Sequence, residues 1–286
     1  MRILLVVVLL SYRFMRFNLC LLRAIRAICT FGSCTIVMSP LNTVAAELSD
    51  TGQTLCYTSA AVAGPCTAAV TGDVASLTPR QDGRYGRDPA AALGLVTKIG
   101  AGAASFDYTK IANNGSVLAA TAALGTTPTS WACTRDNLTG LTWEVKTNAA
   151  GLRRNSHTYT WYSTASTNGG QAGAVGTNTC SSTLAASQCN TQSYVDAVNT
   201  ANLCNANDWR LPTQRELLSL IFSGAAPAFD ATYFPNLRAT TIDIYWTIST
   251  RANTLANAWS VYFERGQSLS APKTSAYLAL VVRGGL

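Results

Sequence analysis

The sequence is poor in the groups that carry most enzymatic chemistry. It holds one histidine, His157, and only 12% of its residues are charged. No Cys-x-x-Cys pair occurs, and with a single histidine a zinc site has no ligand set. There is no Gly-x-Ser-x-Gly elbow, phosphate-binding loop, dinucleotide fingerprint or EF-hand loop. A catalytic triad would have to recruit His157, which "GLRRNSH" places in an exposed turn. Glu144, Asp208, Glu216 and Glu264 are available for glycoside hydrolysis, yet nothing local pairs them. Asp136 with Asn137, or Asn205 and Asn207 with Asp208, could ligate Ca²⁺, but these residue types also fill ordinary turns. No enzyme, cofactor or metal is expected.

A broad basic surface is missing too. The formal charge is +7, but Arg2, Arg13, Arg16, Arg23 and Arg26 lie in the first 46 residues, which hold no acid. The rest of the chain carries 16 basic against 14 acidic residues. Nucleic-acid binding needs clustered Lys and Arg, so no nucleic-acid partner is expected.

No apolar run is long enough to cross a bilayer. The run Ala27–Met38 is about 12 residues against the roughly 20 that a span needs. It follows a basic stretch and precedes "SPLNTVAA", in which Val44 and Ala46 fit the −3 and −1 positions of signal-peptidase cleavage. Residues 1–46 thus read as an export leader, with Met15 as the candidate true start. A lipid anchor on Cys34 and an uncleaved anchor are the alternatives. After cleavage no stable membrane span is expected, and the destination is the periplasm, cell surface or medium.

Six cysteines follow the leader: Cys56, Cys66, Cys133, Cys180, Cys189 and Cys204. An even number in an exported chain favours a disulfide framework. Two local bridges, Cys56–Cys66 and Cys180–Cys189, would leave Cys133–Cys204 as a long-range clasp, one choice among the 15 pairings that six cysteines allow.

Residues 47–130 read as a turn-rich segment stapled by "CYTSAAVAGPC". Its "TPRQDGRYGRDPAAA" interleaves Arg80, Arg84 and Arg87 with Asp82 and Asp88, as a solvated loop does. All six tryptophans lie beyond it. "DNLTGLTWEVKT" reads as a turn and a strand with Leu141, Trp143 and Val145 alternating, and "TYTWYST" as a second strand. A long Gly/Asn/Thr/Ser loop runs from Ser166 to about Ser182. "NTQSYVDAVNTANLC" puts Tyr194, Ala197, Val198 and Ala201 on one helix face, capped by Asn190 or Thr191. "IYWTIST", "AWSVYFERG" and "AYLALVVRG" read as half-buried antiparallel strands. Two helices among such strands make one α+β domain over 131–286.

"NDWRLPTQRELLSLI" carries a capping box. The Thr213 hydroxyl accepts the Glu216 amide and the Glu216 carboxylate reaches back to Thr213. Leu217, Leu220 and Ile221 form the buried stripe, Gly224 ends the helix in a left-handed conformation, Trp209 and Leu211 cover the core, and Arg210 pairs with a carboxylate or carbonyls. This stretch therefore reads as a fastening. The search for function moves to exposed aromatics with flanking arginines, which can stack on sugar faces and hold their anionic groups. Two groups qualify: Arg153, Arg154, Tyr159, Trp161 and Tyr162, and the pair Arg251 and Arg265 if a hairpin joins them.

Taken in order, "WACTRDNLTGLTWEVKT", "CNTQSYVDAVNTANLCNANDWRLPTQRELLSLI", "YFPN", "YWTIST", "AWSVYFERGQ" and "LVVRGG" resemble the DUF1566 family, named after the C-terminal domain of the Legionella collagen-like adhesin. The resemblance covers about residues 131–285. It implies a C-type-lectin-like fold, export from a bacterium and a non-catalytic carbohydrate-binding or adhesive role, with glycans as partners. A structural or protein-interaction module of the cell envelope is the alternative. The sequence has no Gly-x-y run and no basic excess like those of the adhesin that binds sulfated glycans, and it leaves the oligomeric state open.

Overall fold

The computed structural model describes residues 25–30, 33–38, 51–53, 55–57, 63–65, 82–176, 179–180, 183–185 and 187–285. The chain divides into two units, Met1–Ala45 and Ala46–Leu286. In the first, Ile25–Thr30 (β1) and Ser33–Met38 (β2) pair antiparallel, so most of the apolar run Ala27–Met38 is strand. The expected cleavage site at Val44–Ala46 lies outside the described residues.

In the second unit, Leu55–Tyr57 (β3) and Ala63–Pro65 (β4) form the short hairpin expected around Cys56. Cys56 is disulfide-bonded, and Cys66 lies outside the described residues. The expected solvated loop at 82–92 is instead two short helices, Asp82–Tyr85 (α1) and Arg87–Ala92 (α2). Asp88 is buried there because its carboxylate accepts the Ser105 N–H at 2.8 Å, while Arg87 donates to the Ser105 carbonyl. Arg80 lies outside the described residues.

Two antiparallel sheets follow. The first has the order β11-β7-β6-β5, made of Val282–Gly284 (β11), Leu141–Glu144 (β7), Trp131–Asp136 (β6) and Tyr108–Ala112 (β5). The domain thus recruits a strand upstream of the expected Trp131 boundary, because Tyr108 and Ile111 fill its core. The β6–β7 turn closes as its residues dictate. Asp136 accepts the Leu138 N–H and the Thr139 hydroxyl, and Gly140 supplies the positive φ of 71°. The second sheet has the order β10-β9-β8, from Ile244–Thr250 (β8), Asn257–Tyr262 (β9) and Gln267–Pro272 (β10). The closing segment joins the two sheets: Leu278 bridges to Tyr245 of β8, and Val282 pairs with Trp143 of β7.

Both faces of this strand system are covered. On one face Trp161, Tyr194, Val198, Trp209, Trp246, Ala258, Ala279 and Val281 form a core with Cys133, Cys180, Cys189 and Cys204. On the other, Tyr108, Trp143, Leu217, Leu220, Phe234, Tyr245, Val261, Phe263 and Leu280 form a second core. Successive residues of one strand enter opposite cores, since side chains alternate at period 2. The expected half-buried strands are therefore largely buried on both sides.

Helix Thr191–Thr200 (α3) closes the first core. Asn190 is its cap, accepting the Ser193 N–H at 2.9 Å. Ala201, expected on the buried face, is exposed just past the helix end. Helix Gln214–Leu218 (α4) covers the second core and stops at Ser219, five residues before the expected Gly224, which has no positive φ. "TYTWYST" makes bridges only at Tyr159, Thr160 and Tyr162, each to a different segment, and so forms no regular strand.

Candidate functional site

The fastening motif has the geometry its residues imply. Thr213 Oγ1 accepts the Glu216 N–H at 3.2 Å, and Glu216 accepts the Thr213 N–H at 2.7 Å. The same Glu216 carboxylate takes Arg210 in two bonds of 2.6 and 2.8 Å. Burial pushes the Glu216 carboxyl up, but Arg210 and Thr213 outweigh it and hold it below the usual range. Trp209 is buried and donates to the Leu203 carbonyl at 3.0 Å. Cys204 of the adjacent turn is bonded to Cys133, and Cys180 to Cys189.

Most of the expected sugar-binding aromatics are core residues. Tyr159 and Trp161 are fully buried. Trp161 donates to the Thr247 carbonyl at 2.9 Å, and Lys273 Nζ sits 4.0 Å from its ring centroid. Gly173, with φ +94°, lets the long loop pass so close that a Cβ would lie 2.2 Å from the Trp161 carbonyl oxygen. Tyr162 is half-buried and Arg154 exposed. Arg153 holds the Ala132 and Val145 carbonyls at 2.9 and 2.8 Å. Arg251 and Arg265 do not meet. Arg251 hydrogen-bonds Asn257 at the start of β9, whereas Arg265 lies in the turn beyond its end, and six strand residues separate them by about 20 Å.

Of the carboxylates that might have formed a hydrolytic pair, Asp208, Glu144 and Glu216 are each tied to a cation, whereas Glu264 has a buried Oε2 without a hydrogen-bond partner among the described residues. Asp208 pairs with Arg283 at 2.5 Å, which holds the Asp208 carboxyl below its usual range. Glu144 pairs with Lys146 at 2.5 Å, both inside the first core. Tyr194 donates to Glu144 at 2.6 Å, and its own oxygen accepts from Lys146 at 2.6 Å. The Val281 N–H completes the carboxylate's shell at 3.2 Å. Burial lowers the Lys146 pKa, and Glu144 opposes that shift. His157, expected in an exposed turn, is buried. Burial, with Lys146 and Arg154 nearby, pushes its imidazole down, which favours the neutral form.

The four lysines of the chain all brace loops or bury their charge. Lys98 holds the Gly102 and Ala104 carbonyls, Lys110 that of Ala122 and Lys273 those of Asn168 and Gln171. The outward-facing cations are therefore arginines. Among the described residues no group of His, Cys, Asp and Glu is arranged to hold a metal ion.

One tryptophan stays partly accessible. Trp259 is the single tryptophan of six that is not buried. It lies on the α4-facing side of β9, beyond the point where Val261 and Phe263 enter the second core. The Arg251 guanidinium stands 6.0 Å from its ring centroid and donates to Ser270 Oγ at 2.9 Å. Ser270 is the cross-strand partner of Trp259. Two pairs along, on the same face, Gln214 donates to Ser268 Oγ at 2.8 Å. Sequence reasoning found Arg251 but not Trp259, because alternation alone places Trp259 with Val261 and Phe263 on an inward face.

A family model, the Lcl C-terminal domain, matches residues 132–283, just over half of the chain. The chain belongs to the Lcl C-terminal domain family. The match spans β6 to β11, both described disulfides and the Thr213 capping box, and it agrees with the resemblance drawn from the sequence motifs. No curated protein and no solved structure matches the chain significantly. Membership in the Lcl C-terminal domain family points to a surface or adhesin-like protein, and the buried disulfides fit an exported one. No helix among the described residues is long and apolar enough to cross a membrane.

Proposed function

We propose that this chain is an exported adhesion module that binds carbohydrate without catalysis, and that a sugar ring packs on Trp259 beside Arg251. The Trp259–Arg251–Ser270 group carries this reading. It joins a partly accessible aromatic ring to a held guanidinium and a hydroxyl, which is what a pyranose with anionic substituents requires. Arg251 is already positioned by Ser270, so little side-chain entropy is lost on binding. The α+β architecture with its closing segment shared between two sheets supports a C-type-lectin-like fold, which an experimental structure would test by superposition. A glycan array probed with the oxidised chain tests the function. Retention of sulfated or neutral glycans that Trp259→Ala abolishes, with unchanged melting, is the expected result. Silence across the array, or binding indifferent to Trp259→Ala, refutes it.

A second reading, an envelope module that binds protein, is favoured by the exposure of Leu93, Leu95, Ile99 and Val117. Capture of an envelope protein that Ile99→Asp prevents and Trp259→Ala does not would support it.

A further inference from the structure

Arg153 faces a cleft whose chemistry differs from that of the Trp259 surface. The cleft has a volume of about 390 Å³ and lies between the 113–114 turn, the 147–153 loop and the end of α3. Its apolar wall is Leu152, Val198, Leu203 and Pro128. Arg153 is the one charged residue among the described residues lining it, and no aromatic side chain lines it.

The guanidinium is built in. Its Nη1 is clamped by two carbonyls, those of Ala132 and Val145. Among the described residues nothing hydrogen-bonds Nε or Nη2, and neither is a buried unpaired atom. These two N–H groups form the planar edge that grips a carboxylate in two parallel bonds.

Charge points the same way. The nearby buried acid is Glu144, which attracts Arg153 but is already held by Lys146, Tyr194 and the Val281 N–H. Two cations thus share one carboxylate, and Arg153 has no described ion-pair partner of its own. A half-buried cation without a counter-ion is costly, so an anion in the cleft would gain both a bidentate bond and charge compensation. The wall on the α3 side is also prearranged. Asn202, Cys204 and Asn205 all adopt positive φ, at 51°, 54° and 58°, a conformation held by the Cys133–Cys204 bridge.

We propose that this cleft binds a small carboxylate with an aliphatic body, the carboxylate on Arg153 Nε and Nη2 and the body against Leu152, Val198 and Leu203. A sugar acid fits less well, because no ring face is offered for stacking. The same chemistry is presented by a free aliphatic acid and by the C-terminus of a peptide ending in an aliphatic residue.

The test is calorimetric titration of the oxidised full chain with 4-methylpentanoate, N-acetyl-leucine, a tripeptide ending in leucine, the amide of N-acetyl-leucine, and glucuronate. At least one aliphatic carboxylate is expected to bind saturably, with the amide weaker by about tenfold or more. A preference for the tripeptide over the free acid identifies a peptide C-terminus as the ligand; the reverse identifies a small molecule. Arg153→Lys is expected to weaken binding by about tenfold or more, since a point charge cannot make the bidentate contact. Ala150→Trp fills the cleft mouth while leaving the guanidinium and its two carbonyls in place, and it is expected to abolish binding without lowering the melting temperature. Trp259→Ala is expected to leave carboxylate binding unchanged, so failure of this proposal and failure of the glycan reading are separable. No binding by any aliphatic carboxylate, equal binding of the amide, tighter binding of glucuronate, or binding indifferent to Ala150→Trp each overturns the proposal.

Discussion

The two cores on either side of the sheets are held by different physics. The α3 side contains Cys133–Cys204, Cys180–Cys189 and the Glu144–Lys146–Tyr194 group. The α4 side has no cysteine and packs ring on ring, with Phe229, Tyr245 and Phe263 in edge contacts and Tyr108 against Tyr233 and Phe234. The first arrangement depends on partners that must all be present, since a buried charge that loses its partner is severely destabilising. The second depends on volume and shape, and its stability is spread over many weak contacts. The faces also differ at their edges: the cleft with Arg153 opens from the covalently braced side, while Trp259 emerges from the aromatic side.

The largest expected break in this comparison comes from Glu144→Ala, which strands Lys146 inside the first core and should cost about 3–5 kcal/mol in chemical denaturation. The double change Glu144→Gln with Lys146→Met should cost much less. If it costs as much as Glu144→Ala, the ion pair is not what governs this side. Next comes the covalent bracing. Replacing Cys133 and Cys204, which are 71 residues apart in sequence, should cost about 4 kcal/mol by loop-closure entropy. Replacing Cys180 and Cys189, 9 residues apart, should cost about 2.5 kcal/mol on the same basis. The order of the two losses is the check. On the other side, Leu217→Ala should cost about 2 kcal/mol or more from lost burial and a residual cavity. That loss should be the same with or without the Cys180–Cys189 bridge, because the residues share no partner. A coupling above about 1 kcal/mol would show that the cores are not independent.

Smaller effects concern the fastening at α4. Thr213→Ala should cost about 1 kcal/mol and leave glycan binding unchanged in the folded fraction, as binding assays at low temperature would show. The Glu216 carboxyl is depressed in the folded chain by Arg210 and Thr213. Its stabilisation is therefore complete above the pKa of the unfolded glutamate and is lost as pH falls through the lower folded value. With the Arg210 side chain 37% exposed, the effect should stay under about 1 kcal/mol. Glu216→Gln should flatten that part of the acid-unfolding curve.

Legibility differed between local and remote relations. The capping box, the Asn190 cap and the strand at β8 rest on neighbours within a few residues, and "TQRE" or "NTQS" states them directly. The aromatic candidates failed for a different reason. Period-2 alternation identifies one inward face only when the other meets solvent. Trp161, Trp246 and Tyr159 alternate with residues that are also buried, so the pattern cannot tell which tryptophan reaches the surface. Arg153 was grouped with Tyr159 and Trp161, which lie in the core, whereas it lines a cleft away from them. The turn of Asp82–Ala92 looked solvated because its charges alternate, while Ser105, remote in sequence, supplies the partner that buries Asp88.

What the sequence determined by itself is therefore the set of short-range choices and the family to which they belong: caps, turns, the even cysteine count, and the ordered motifs from Trp131 to Gly285. Tertiary structure decided the rest. It paired the sheets through the closing segment, put five of six tryptophans inside and left Trp259 at a rim, and clamped Arg153 into the wall of a cleft. The physical reason is that burial and charge compensation depend on what the rest of the chain brings near a residue. A single strand or turn does not contain that information.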